Sequence, residues 1–204
     1  MGLLTTRTSI TCYRVEGGLP SPVAETVHQR LKKNLVAHID DQPAEKAVGW
    51  SSFEKPFAAD LDGSSIQFGA LMAFTLRIDK KAIPAKVIKK YCDQQAARRL
   101  AQKGQATLSK NEKQQIREKV LHELALRIPA TPRAYDLAWD YEAGRLWFFS
   151  NMKNANEELE TLFFKTFSLR LIRLFPYTIA ALEAGLSDQD KDRLFTSAPT
   201  NFME

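Results

Sequence analysis

The chain has 204 residues, is 44% hydrophobic and 26% charged, and carries a formal net charge of +5. These values suit one globular domain or two small ones with a real apolar core, and exclude collagen-like, low-complexity and disulfide-scaffold classes. Cys12 and Cys92 form no C-x-x-C pair, no apolar run approaches the ~18 residues of a membrane helix, and Met1–Arg7 lacks the apolar stretch of a secretion signal, so the expected setting is reducing and cytoplasmic.

Thr5 to Val15 alternates and is rich in β-formers, which predicts a strand ended by Gly17-Gly18. Pro20 and Pro22 open a segment to about His38 in which Val23, Val27, Leu31 and Leu35 recur every four residues, the pattern of an amphipathic helix. Asp40-Asp41-Gln42-Pro43 breaks it. Val48 to Phe53 reads as a short strand, Lys55 to Gln67 as a loop, and Gly69 to Ile78 as a strand whose run Leu71-Met72-Ala73-Phe74 predicts a central, buried place.

Pro84 marks N1 of a long helix to about Lys103, with an apolar stripe of Ile88, Cys92, Ala96 and Leu100 and a stop at Gly104. Ser109-Lys110-Asn111-Glu112 fits a capping box: the serine hydroxyl accepts the Glu112 N–H while the carboxylate reaches back. Ile116, Val120, Leu124 and Ile128 form the next stripe, ended by Pro129 and Pro132. Two helices joined by so few residues predict an antiparallel hairpin.

Ala134 to Asp140 and Arg145 to Phe149 read as strands around a tight turn, Tyr141-Glu142-Ala143-Gly144, in which Gly144 takes positive φ. Asn154 is placed as the cap of a helix whose core face is Leu159, Leu162, Phe163 and Phe167. Leu171 to Phe175 is a last strand, Pro176 to Ala184 a short helix closed by Gly185, and the tail with Asp188, Asp190 and Asp192 is expected to fray. The predicted class is α+β, mostly antiparallel sheet in two β/α flanks around a long basic antiparallel helical hairpin. Residues 1–78 form a β-α-β-β unit, 79–133 the hairpin, and 134–204 a β-β-α-β unit with a short helical tail.

Signals for catalysis are sparse. His28, His38 and His122 have no His, Cys or carboxylate at metal-ligand spacing, and no G-x-S-x-G, phosphate-loop or dinucleotide motif occurs. Asp136 and Asp140 share a strand face beside Glu142, the arrangement a divalent metal would need in a nuclease and also that of a hairpin with polar ends. Trp139, Trp147, Phe148 and Phe149 could stack on bases, but on adjacent strands they read first as core or cross-strand pairs, and Trp50 as core or interface. No catalytic residue, metal site or cofactor is assigned.

The charge distribution is more telling. Residues 77–133 hold fifteen Lys/Arg against five Asp/Glu; the rest of the chain holds fourteen against nineteen. On the predicted hairpin, Lys86, Lys89, Lys90, Arg98, Arg99, Lys103, Lys110, Lys113, Arg117 and Lys119 lie mostly off the apolar stripes. Lysines outnumber arginines and no aromatic residue is interleaved at the exposed positions, which suits phosphate contact without base reading: sequence-tolerant, salt-sensitive binding to duplex DNA. A symmetric dimer would set two such patches around one duplex.

Several runs resemble the RdgC family of bacterial recombination-associated proteins. Ile83-Pro84-Ala85-Lys86-Val87-Ile88-Lys89-Lys90 is similar to the segment that opens that family's long helix, and Leu108 to Lys113, continuing through Glu118 to Leu124, to its second helix. Gly49-Trp50 resembles its short Gly-Trp motif, and Trp139-Asp140 with Gly144 and Ser150 its following hairpin. The resemblance covers residues 5–175 in order. It implies double-stranded DNA binding without sequence preference, a ring-shaped homodimer with a basic central hole, nucleoid association, and restraint of RecA-driven strand exchange. Typical members continue into a further C-terminal region that helps close the ring, and Arg127 to Pro132 departs from the usual helix exit. Some members carry an exonuclease label. Two other readings stand beside it: a metal-dependent exonuclease using Asp136 and Asp140, and a protein-interaction module whose charged hairpin docks an acidic partner.

Overall fold

The computed structural model describes residues 3, 5, 8–58, 60–104 and 106–197. In chain order the elements are β1 (Thr11–Glu16), α1 (Val23–Lys33), β2 (Lys46–Ser51), β3 (Gln67–Phe68), β4 (Leu71–Lys80), α2 (Ala85–Lys103), α3 (Lys110–Ala125), β5 (Thr131–Asp140), β6 (Arg145–Phe148), α4 (Lys153–Phe167), β7 (Arg170–Leu174), α5 (Pro176–Glu183) and α6 (Asp188–Thr196). The α+β class expected from the sequence is what the chain adopts. Among the described residues seven strands form one antiparallel sheet in the order β2-β4-β5-β6-β1-β7, with β3 on β4. Among the described residues no helix is long and apolar enough to cross a membrane.

Two compact units divide the chain: Met1–Arg30, Ile66–Phe74 and Tyr135–Glu204 in one, Leu31–Ser65 and Thr75–Ala134 in the other. In the first, β1 lies between β6 and β7, so that Cys12 faces Trp147 on one side and Leu174 on the other. Strand alternation turns Tyr13 fully inward. Helix α4 lays Leu159, Leu162, Phe163 and Phe167 onto the core, the stripe expected at 3.6-residue spacing. Trp139 meets Phe163 and Phe167 at 5.2 and 5.4 Å between ring centres, in the tilted and edge-on geometries that ring quadrupoles favour. The Tyr13 hydroxyl lies 2.6 Å from Asn156 Oδ1 and 2.9 Å from Glu160 Oε1, and Arg173 donates to the same carboxylate at 2.9 Å. Burial first, and then the hydrogen bond to Glu160, push the phenol well above its ordinary pKa, so it holds its proton as a tether between β1 and α4.

The second unit explains the Gly-Trp pair. Trp50 is fully buried. Residues 34–36 run alongside β2, with the Trp50 N–H donating to the Asn34 carbonyl at 2.9 Å and the Val36 N–H to the Trp50 carbonyl at 3.1 Å. A Cβ on Gly49 would sit 2.3 Å from the Val36 nitrogen, so only glycine admits this approach. The same contact corrects the first helix. The stripe predicted to reach His38 stops at Lys33, because Leu35 leaves the helix to bridge with Trp50.

Other boundaries move for local reasons. β1 begins at Thr11, with Thr8 to Ile10 irregular; Thr6 and Arg7 of the predicted strand lie outside the described residues. Pro84 is the residue before α2, with extended ψ of 133°, rather than its first turn. The N-cap of α4 is Met152, not Asn154: the Ser150 hydroxyl accepts the Met152 N–H at 3.2 Å and starts the helix earlier. Helix α3 ends at Ala125, short of Ile128. The tail expected to fray holds α6, whose N-cap Ser187 accepts the Asp190 N–H at 3.2 Å.

Candidate nucleic-acid interface

Helices α2 and α3 pack on each other through Leu108, Ile116, Val120 and Leu124, against which Ile88, Tyr91, Cys92 and Leu100 are half-buried. Gly104 closes α2 at φ 62°, returning its N–H to the Leu100 carbonyl, the left-handed cap that glycine takes at least cost. The capping box at the start of α3 is present as expected: the Ser109 N–H donates to Glu112 Oε2 at 2.9 Å, and the Glu112 N–H to Ser109 Oγ at 3.3 Å.

Glu112 does more than cap. Lys103 Nζ donates to its Oε1 at 2.5 Å, and Arg99 Nε lies 3.8 Å from the same oxygen. The Lys103 hydrogen bond, followed by those of Ser109, holds this carboxylate down to a pKa of about 2, so it stays ionised and pins the end of α2 to the start of α3. Of the ten predicted DNA-binding cations, Arg99 and Lys103 therefore sit on Glu112. Lys119 lies 3.9 Å from Glu123 as an i,i+4 pair, and Lys90 Nζ sits 5.9 Å from the Tyr91 ring centre. Lys86, Lys89, Arg98, Lys110, Lys113 and Arg117 are exposed and have no carboxylate partner among the described residues.

Two cations of the basic segment serve the fold instead. Arg77 makes a two-pronged pair with Asp79, at 2.8 and 2.7 Å, and donates to the Phe57 carbonyl at 3.0 Å. Lys81 is only 4% exposed. Its ammonium donates to the carbonyls of Asp40 at 2.9 Å, Gln42 at 2.8 Å and Ala125. Three donors meet three acceptors, one of them a helix-end carbonyl left without an intrahelical partner. Asp40 in turn accepts the Ala130 N–H at 2.8 Å. The result ties the end of α3 and the 40–42 turn to the end of β4. A charge count over the sequence cannot separate Lys81 from its neighbours. The available signal is its register: one residue past β4, it continues the odd-numbered face that carries Arg77 and Asp79.

The remaining candidates disperse. Asp136 Oδ2 accepts the Leu3 N–H at 3.0 Å, and Asp140 Oδ1 accepts the Ala143 N–H at 2.9 Å within the β5–β6 turn. Among the described residues no three His, Cys, Asp or Glu side chains gather as a metal site. Trp50, Trp139, Phe148 and Phe149 are buried, and Trp147 is half-buried opposite Cys12 and Ala138.

The family model described as "Putative exonuclease, RdgC" matches residues 8–187. No curated protein matches the chain. With that model spanning nearly all of its 204 residues, the chain belongs to the RdgC family.

Proposed function

We propose that this chain is a non-catalytic, sequence-tolerant double-stranded DNA-binding protein that modulates homologous recombination or replication from the cytoplasm, at the nucleoid, and that α2 and α3 carry the contact. Family membership supplies the association with recombination. The observation that carries the finer reading is the set of six exposed cations on one packed helix pair, with no carboxylate partner among the described residues. Lysine and arginine at such sites attract phosphate without reading bases, because nothing fixes them against a base edge. A protein coating duplex in this way would restrain RecA-type strand exchange by occupying its substrate, and a homodimer would double the patch.

If all six cations meet phosphates, log K falls with log salt with a slope of about −5. Titrating duplex and single-stranded DNA against salt in EDTA tests this, with oligomeric state measured alongside. Comparable affinity for unrelated duplexes is expected. DNA shortened from its ends in magnesium, and intact in EDTA, would favour the exonuclease reading instead.

A further inference from the structure

We infer that the groove between α2 and α3 is a docking site for an acidic amphipathic helix of a partner protein. The groove has a volume of about 580 Å3. Its floor is apolar, formed by Ile88, Cys92 and Ala96 of α2 and Ile116 of α3. Ile88, Cys92 and Ala96 are half-buried against the α3 cluster and none of the nineteen residues of α2 is fully buried, so the stripe keeps part of its apolar surface open along the groove. From Ala85 to Ala96 the stripe spans about 16 Å, three turns of helix. Its residues other than the two isoleucines are small, which lets a third helix approach closely.

The walls set the sign of the occupant. Lys89 stands on the α2 side, Lys113 and Arg117 on the α3 side, against the single carboxylate of Asp93. None of the three cations has a carboxylate partner among the described residues. A helix with leucine-like residues along one face and glutamates on both flanks would cover the floor and neutralise both walls. A duplex backbone satisfies the walls alone, because phosphate laid on an apolar floor loses hydration without compensation. The site therefore differs from the phosphate contact proposed above in what its floor recognises. It shares Lys89, Lys113 and Arg117 with that contact, so partner and DNA compete.

The test uses the full chain and a fluorescein-labelled fourteen-residue amphipathic peptide with Leu on one face and Glu on both flanks, followed by anisotropy. Saturable binding is expected, at least tenfold weaker when the peptide's Leu residues become Ser or its Glu residues become Lys. Ile88→Ser, which leaves the charge of the surface unchanged, should weaken peptide binding at least tenfold while duplex affinity changes less than threefold. Asp93→Lys, at an exposed position that leaves folding intact, should tighten peptide binding about threefold. Equal binding of the Leu→Ser peptide would overturn the inference by showing charge attraction alone. So would an Asp93→Lys variant with unchanged affinity, or palmitate binding in the groove where the peptide does not. Arg98→Glu lies outside this groove and should weaken duplex binding while sparing the peptide, which separates failure of this inference from failure of the DNA reading.

Discussion

In the unit built on β1, β6 and β7, the rings of Phe74, Trp139, Phe163 and Phe167 meet at 4.8 to 6.2 Å between centres and pack as one buried cluster. In the unit carrying α2 and α3, α2 fully buries none of its residues, and Lys86, Lys89 and Arg98 are exposed. The first region spends its sequence on packing. The second also packs an apolar core, with Trp50 and Val120 buried in it, but it adds polar anchors at Lys81 and Glu112 and leaves the cationic face of α2 and α3 open. Substitutions in the ring cluster should therefore read out as stability, those on the helix surface as binding, and those at the anchors as both.

The largest effect tests the ring cluster. Phe163→Ala should cost about 3–5 kcal/mol in urea unfolding, through lost burial and the cavity left behind. Trp139→Phe is the sharper probe. The indole Nε1 is buried with no acceptor among the described residues, so losing it removes an unsatisfied donor, and the variant should fall within about 1 kcal/mol of the parent. A large loss from Trp139→Phe would mean that the ring volume removed outweighs the relief of the unsatisfied donor.

Next come the anchors. Lys81→Met leaves three carbonyls without a donor and should cost about 2–3 kcal/mol, measured by urea unfolding, with DNA affinity falling only as folded protein falls. On the open surface the expectation reverses. Joint reversal of Lys89, Lys90, Arg98 and Arg99 to Glu should abolish duplex binding with the far-UV spectrum retained, and each single Ala substitution at an unpaired cation should lower the salt slope by about 1.

The smallest effect concerns pH. Glu112 has its pKa lowered from 4.5 to about 2 in the folded chain, so its contribution is complete above pH 4.5 and is lost as pH falls through about 2. Stability measured down that range should decline less steeply in Glu112→Gln, which has no carboxylate to protonate. An identical decline in both proteins would remove Glu112 from the account.

Local signals in the sequence were largely readable. The Ser109–Glu112 box, the α4 stripe and the Gly144 turn, at φ 61°, follow from side-chain chemistry within a few residues. What could not be read depends on residues far apart in the chain. The β1 position between β6 and β7 requires pairings with segments more than a hundred residues away, and alternation alone does not specify a partner. The helix pattern at Leu35 is correct as periodicity, yet a tertiary bridge to Trp50 overrides it. In the candidate interface the ten cations were legible as a charge excess. Their sorting was not: Lys103 and Arg99 gather on Glu112 only because the start of α3 packs beside the end of α2, and Lys81 is buried by segments forty residues to either side.

The contrast between a buried ring cluster and an exposed, cationic helix surface rests most directly on how duplex affinity responds to salt. Anisotropy of two unrelated duplexes of equal length, titrated from 50 to 200 mM salt in EDTA, should give the same affinities for both and a log–log slope of about −5. Affinity that does not change with salt, or that discriminates strongly between the two duplexes, would contradict phosphate binding by α2 and α3.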